Sequence, residues 1–201
     1  MKQIGQGAEA VLHSDSKTVR KDRVSKSYRH PVIDEKLRKS RTRRETKVMQ
    51  KLQELGIPAP VLISSDDISM QIEMSFLQGK KVRDLLDAKN CHEVSFDIGK
   101  KIGQLHKHGI MHGDLTTSNM IYHNNEVNFI DFGLSFFSDK MEDRAVDLHL
   151  FRQALESKHH LIWEKCFEAA IDGYEKSYSE AGKVLERLKK VESRGRYKDK
   201  Y

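Results

Sequence analysis

Cysteine is scarce in this 201-residue chain. Cys91 and Cys166 are the only two, with no metal-ligand spacing around them, which excludes a disulfide scaffold and a zinc module and fits a reducing cytosol. Long apolar stretches are missing as well. No run of about 18 apolar residues occurs, so no membrane-spanning helix is expected. Residues Met1 to Gly7 lack the apolar core of a signal peptide, and a cytoplasmic protein is the expectation. There is no internal repeat and no low-complexity block. The length suits one domain, or two small lobes sharing a core.

Charge, by contrast, is abundant: 33% of residues are Asp, Glu, Lys or Arg, and the net charge is +6. It is unevenly spread. Residues 17–51 hold 14 Lys/Arg against 4 Asp/Glu, and residues 183–201 hold 8 against 3, so the remainder is acidic. Such polarity fits a nucleic-acid or acidic-protein partner. A solvated basic helix face would give the same pattern.

The chemistry is concentrated in His112-Gly113-Asp114-Leu115-Thr116-Thr117-Ser118-Asn119 and, further on, Asp131-Phe132-Gly133. Asp, Ser, Thr and Asn gather in ordinary turns too, so neither half is decisive alone. Together they give the order that phosphoryl transfer needs. One acid, Asp114, orients the nucleophile or accepts its proton, while an Asn and an Asp, Asn119 and Asp131, hold Mg²⁺ against phosphates. Protein kinases write this as H-R-D-L-x-x-x-N and D-F-G. Gly113 stands where they have Arg.

The upstream parts are present. Ile4-Gly5-Gln6-Gly7-Ala8-Glu9-Ala10 places two glycines where backbone N–H groups can approach phosphates without a Cβ in the way. The third glycine of a kinase loop is Ala10 here, and a lone G-x-G is more often a turn. After the Ser14–Ser16 turn, residues 17–21 read as a returning strand with Val19 and Lys21 on one face, which selects Lys21 as the phosphate-gripping lysine. A helix is expected from about Asp34 to Leu55, stopped by Gly56 and Pro58, with Val48, Met49, Leu52 and Leu55 inward. Glu45 falls on that inward stripe and wants a cation: Lys21, or an Arg of its own helix.

Ile68, Met70, Ile72 and Met74 alternate as one half-buried strand. In a kinase it would lead to the linker that binds adenine, with Met74 as the wall and Ser75 to Leu77 as the hydrogen-bonding backbone, to within about one residue. Ile98, Ile102 and Leu105 mark an amphipathic helix that Gly109 can end. His106 and His112 read as structural polar groups. Met120 to Ile130 form a hairpin over Asn124-Asn125, with Val127, Phe129 and Asp131 on one face, bringing Asp131 back beside Asn119. After Gly133 there is no A-P-E, and a helix containing Arg144 to Leu148 starts about ten residues on. Asp147 either braces the catalytic loop or faces solvent. One helix is expected from about Leu161 to Val191, then a flexible basic tail.

With Lys26 to Asp34, Arg41 to Glu45, Asp131 to Ser135, Glu142 to Asp147 and the Arg194-Gly195-Arg196 tail added to these motifs, the whole chain resembles one family. It is the small kinase-like subunit of the KEOPS (EKC) complex, a RIO-related atypical Ser/Thr kinase, here in its stand-alone form. The resemblance implies an α+β, minimal two-lobe protein-kinase-like fold without a full activation segment. An antiparallel sheet plus one helix would form the N-lobe (residues 1–77), a mostly helical C-lobe would follow (78–192), and residues 193–201 would be the tail.

It further implies ATP and Mg²⁺ as cofactors. Asp114 would be the catalytic acid and Lys21 the catalytic lysine with Glu45 as its partner. Asn119 and Asp131 would be the metal ligands, Ile4, Gly5, Gln6, Gly7, Ala8 and Glu9 the cover over the phosphates, and Met74, Ser75 and Leu77 the adenine contacts. Such proteins autophosphorylate on Ser/Thr and act chiefly as ATPases when bound to the large threonylcarbamoyl-transferase subunit. The complex makes threonylcarbamoyl-adenosine in tRNA. Partners implied are that large subunit, a further small KEOPS subunit, and tRNA through the basic helix and tail. The alternative is a free-standing RIO-like Ser/Thr protein kinase.

Overall fold

The computed structural model describes residues 1–7 and 9–195; Ala8 of the glycine-rich loop and residues 196–201 of the expected tail lie outside the described residues. Two compact units form, residues 1–78 with 130–134, and residues 79–129 with those from Ser135 onward. The Asp131-Phe132-Gly133 segment, assigned from sequence to the C-lobe, thus packs within the first unit.

In the first unit β1 (Lys2–Gln6), β2 (Val11–Ser14) and β3 (Thr18–Asp22) form a meander. Helix α1 (Pro31–Leu55) follows, then β4 (Leu62–Asp66) and β5 (Gln71–Ser75). The sheet is antiparallel throughout, in the order β1-β2-β3-β5-β4. Helix α1 starts three residues earlier than its apolar stripe suggests, because Pro31 occupies the first turn, where a missing N–H costs nothing. Gly56 ends it in the left-handed conformation (φ +64°), and Ile57 N–H closes back onto Leu52 C=O at 3.0 Å. Val48, Met49 and Leu52 fill the core, with Glu45 buried among them.

The expected strand through Ile68 and Met70 is shorter. Both residues lie in the turn before β5, where Met70 has φ +61° and Ile68 is 82% exposed. The carboxylate of Asp66 draws that turn together, accepting the amides of Ile68 (2.8 Å) and Ser69 (3.3 Å).

The second unit begins with β6 (Lys80–Lys81), the single turn α2 (Val82–Leu85), α3 (Cys91–Lys107) and β7 (Ile110–Met111). A 3₁₀ turn (Thr117–Asn119), β8 (Met120–His123), β9 (Glu126–Phe129) and β10 (Phe136–Phe137) come next, then α4 (Met141–Lys158), α5 (Trp163–Ser177) and α6 (Ala181–Gly195). Strands β8 and β9 are joined by Asn124 and Asn125, both at positive φ as a tight hairpin demands. Gly109 (φ +68°) turns the chain just past the end of α3.

The single long helix expected over residues 161–191 is two. Tyr178 leaves the helical region (φ −132°, ψ 112°), and Ala181 N–H bonds Tyr178 C=O to start α6. Ser177, Ser179 and Gly182 make this stretch a poor helix former. Ser193 to Gly195, counted with the flexible tail, are the last residues of α6.

Helices α3 and α5 meet backbone to backbone. A Cβ built on Gly99 would lie 1.8 Å from Ala170 C=O, and one on Gly173 would lie 2.1 Å from Phe96 C=O. Ile98, Ile102 and Leu105 are fully buried beside this contact. The molecule is α+β, a five-stranded antiparallel sheet with one helix in one unit and mostly helices in the other. Among the described residues, no helix is long and apolar enough to cross a membrane.

Candidate active site

In the first unit, β3 presents Lys21 and α1 presents Glu45 across the sheet–helix core, 5% and 1% exposed. Lys21 Nζ donates to Glu45 Oε1 at 2.8 Å and Oε2 at 3.0 Å. The cation that Glu45 needs is therefore Lys21 rather than an arginine of its own helix. Lys21 also donates to Asp131 Oδ1 at 2.8 Å.

Asp131 is not on a strand face. Strand β9 ends at Phe129, and Asp131 takes φ +64°, so the period-two reading through Val127 and Phe129 does not extend to it. Asp tolerates this region better than bulky residues do. Its side chain is 52% exposed, yet the protein around it works against ionisation. The charge and hydrogen bond of Lys21 outweigh that, helped by Gly133 N–H and Arg23, and lower the carboxyl to about 2. Asp131 is a permanent carboxylate, which is what a hard cation requires of a ligand.

The glycine-rich loop is the β1–β2 connection, closed by Gly7 N–H to Ala10 C=O at 2.9 Å. Among the described residues, nothing crowds either glycine. A Cβ on Gly5 would meet only Leu12 at 3.7 Å, and one on Gly7 only Ala10 C=O at 3.8 Å. Ile4 and Gln6 lie on β1. Glu9 turns its carboxylate to Arg29 (2.9 Å) and Arg41 (2.7 Å).

Met74 and Ser75 close β5. The amides of Ser75 and Phe76 are spent within the unit, on Val61 C=O (2.9 Å) and Lys17 C=O (2.8 Å), which narrows the donor of the expected linker to Leu77.

In the second unit Asp114 follows Gly113, whose φ of +78° explains why an arginine is replaced by glycine at this point of the motif. Asn119 Nδ2 donates to Asp114 C=O (3.0 Å) and Oδ2 (2.7 Å), so its amide oxygen is the atom it can offer a cation. The brace under this loop is Asp147, 2% exposed. It accepts His112 N–H at 2.7 Å and Gly113 N–H at 2.8 Å, and His106 Nε2 lies at 3.3 Å. Burial works to raise the Asp147 carboxyl, but His106, His112 and these amides hold it below the usual range. Thr117 Oγ1 is tied to His159 Nε2 at 3.1 Å, fixing the 3₁₀ turn that carries Asn119.

A family model described as the RIO domain matches residues 9–147. The KEOPS complex subunit Bud32 of Pyrococcus abyssi is 40% identical over 215 residues, taking in 100% of this chain and 98% of that protein. The chain belongs to the Bud32 family of RIO-domain proteins. A probable bifunctional tRNA threonylcarbamoyladenosine biosynthesis protein of Methanocaldococcus jannaschii is 39% identical over 198 residues, but this chain spans 36% of that protein's length. Among solved structures, the Rio2 kinase of Chaetomium thermophilum in an ADP/Mg²⁺-phosphoaspartate complex has a TM-score of 0.66 at 17% identity, over 98% of this chain and 71% of that one. WaaP in complex with acyl carrier protein gives 0.62 at 13%, over 96% and 88%. At these identities the likeness is one of fold, the kinase-like fold of the RIO proteins.

One residue of this Bud32-family site was not legible as sequence. Arg23, 6% exposed, donates through Nη2 to Glu45 Oε2, so Glu45 is shared by two cations. A Cβ on Gly133 would lie 2.7 Å from the same Nη2; glycine leaves the room that the guanidinium fills. Among fourteen cations in residues 17–51, nothing in the residue type separates Arg23 from the others. Lys21, Arg23, Glu45 and Asp131 form a cluster of two charges of each sign. Arg23→Met is expected to destabilise this unit by about 2 kcal/mol in urea unfolding, less than an orphaned buried charge costs because Lys21 still faces Glu45. It should also raise the Asp131 pKa, read by NMR titration. An unchanged midpoint would show that Arg23 is idle.

Proposed function

We propose that the chain is an ATP-hydrolysing, atypical-kinase subunit of a KEOPS complex that supports threonylcarbamoyladenosine formation in tRNA, and that it phosphorylates Ser/Thr hydroxyls, its own included, as a secondary reaction. The observation that carries this is the conjunction of a full set of phosphoryl-transfer groups with a minimal segment after them. Lys21 and Glu45 are paired in the core and Asp114 and Asn119 are bonded together, yet only residues 134–140 separate Gly133 from α4. An ordinary kinase docks its peptide substrate on a long segment there. The relatives' names, a KEOPS complex subunit and tRNA threonylcarbamoyladenosine biosynthesis proteins, support the assignment to that complex.

Asp114, steadied through Oδ2 by Asn119, orients a water or hydroxyl and takes its proton. Lys21 donates to phosphate oxygens, and Glu45 holds it in the donating position. Residues 4–9 cover the phosphates, with the Gly7 N–H spent within the loop on Ala10 C=O; Met74 walls the adenine, with Ser75 C=O and Leu77 N–H at its edge. Asn119 Oδ1 and the ionised Asp131 fit Mg²⁺ as hard oxygen ligands. Mg²⁺, when bound, neutralises charge on the phosphates.

The partners proposed are the large threonylcarbamoyl-transferase subunit, a further small KEOPS subunit, and tRNA. For tRNA the exposed cations of α1, among them Lys36, Arg43, Arg44 and Lys47, supply phosphate contacts that position without reading sequence. The deciding experiment is ATP hydrolysis measured on the chain alone, with tRNA, and with the large subunit. Hydrolysis should rise severalfold with the subunit. If the chain alone phosphorylates generic proteins and the subunit changes nothing, a free-standing RIO-like Ser/Thr kinase replaces this reading.

A further inference from the structure

Three stretches of sequence that the catalytic groups do not account for converge on one charged cluster. They are Glu9 in the glycine-rich loop, Arg29 within Lys26 to Asp34, and Arg41 at the head of Arg41 to Glu45. Arg29 donates to Glu9 Oε1 at 2.9 Å through Nη2, and Arg41 Nη1 lies 2.7 Å from Glu9 Oε2. The side chains of Arg29, Arg41 and Glu9 are 18%, 23% and 34% exposed, so the cluster is partly shielded from water. The hydrogen bond from Arg29 lowers the Glu9 carboxyl and burial opposes it; the hydrogen bond from Arg41 and the charges of both arginines leave it below its usual range.

The arginines are themselves anchored to α1. Asp34, 1% exposed in its first turn, accepts Lys26 N–H at 3.3 Å and Arg38 Nε at 2.7 Å, with Arg29 Nη1 at 3.7 Å. Arg38 Nη1 reaches back to Arg23 C=O at 3.4 Å. The connection between β3 and α1 is thereby strapped to the helix. Arg41 and Glu45 sit four residues apart on α1, one turn along the same face. One turn holds the loop through Glu9, and the next holds Lys21.

We infer that Glu9, Arg29 and Arg41 are a clamp that sets how firmly the glycine-rich loop closes over nucleotide, with α1 as its frame. This rests on the nucleotide-site reading given above. Glu9 is a positioning residue on this account. A bare carboxylate near phosphates would repel them, and here its charge is offset by the two arginines it pairs with. Any shift of α1 that loosens the Arg41 contact also disturbs the neighbouring Glu45–Lys21 pair, so loop closure and lysine placement are set together.

The test uses the full chain with Mg²⁺ and methylanthraniloyl-ADP in stopped flow, beside amide hydrogen exchange of residues 1–14 in the nucleotide-free protein. Arg41→Gln should speed nucleotide dissociation about fivefold, the scale of one partly exposed ion pair. It should raise KM for ATP by the same factor with kcat within about twofold. E9Q, which releases both arginines, should speed dissociation at least as much, and the double variant E9Q/R41Q no further than E9Q alone. Additive effects of the two single changes overturn the clamp, as does a fall in melting temperature with dissociation and exchange unmoved. If the unsubstituted chain binds no nucleotide, the nucleotide-site reading fails on its own. Exchange then still decides the contact: faster exchange of the loop in R41Q supports it, and unchanged protection overturns it.

Discussion

Replacing Asp114 with alanine is expected to lower ATP turnover by about 10²–10⁴-fold, the range for a positioned general base. Fold and nucleotide affinity should stay in place. Asp114 is half-buried, and the Asn119 side chain bonds both its carboxylate and its carbonyl, of which the substitution keeps the carbonyl. The loop backbone is held from beneath by Asp147, independently of the Asp114 side chain. The loss should therefore fall on kcat. Steady-state hydrolysis paired with a fluorescent-nucleotide titration separates the two quantities. Hydrolysis that survived in the variant would remove Asp114 from the chemistry and the assignment with it.

Asp147→Ala should give the largest loss of stability, about 3–5 kcal/mol in urea unfolding, because one buried and one half-buried amide donor lose their acceptor at once. Those donors are His112 N–H and Gly113 N–H, and His106 loses its carboxylate partner as well. Asp147→Asn keeps one acceptor oxygen and should lose roughly half as much. The pH sense follows from the lowered carboxyl. Its contribution is full above the ordinary carboxylate pKa of about 4 and disappears as the pH falls through the lower folded-state value. Hydrolysis should fall with either substitution, since Gly113 holds the left-handed turn that presents Asp114. An Asp147→Ala protein with the parent's unfolding midpoint would show that the loop needs no brace.

The candidate catalytic groups are legible in residue types because the chemistry proposed for them limits what each position can be. Lys21 stood out by strand parity and Glu45 by lying on an apolar stripe, and the two meet in the core. Conformations that break periodicity were hidden. Asp131 and Met70 both take positive φ, although each continues an alternating pattern in the sequence. Strand β4 escaped notice since Leu62–Asp66 is a mostly exposed strand with no clean alternation. The break between α5 and α6 was concealed by apolar residues that continue past it at nearly helical spacing, while the two serines and Gly182 that weaken the helix there are individually unremarked residues. Arg23 was hidden by abundance, and the Glu9 cluster by distance along the chain, since Arg29 and Arg41 come 20 and 32 positions later.

The contact between α3 and α5 sets a length that side-chain exchange cannot adjust. Where most helix pairs are spaced by whatever packs between them, Gly99 and Gly173 bring main chain against main chain, so the separation is fixed by the radii of backbone atoms. Any residue larger than glycine at either position can only lengthen it. Helix α3 leads through Gly109 and β7 directly into the loop carrying Asp114, so that loop inherits its origin from this spacing. The datum from which the Asp114 carboxylate is placed is thus a property of the polypeptide backbone itself.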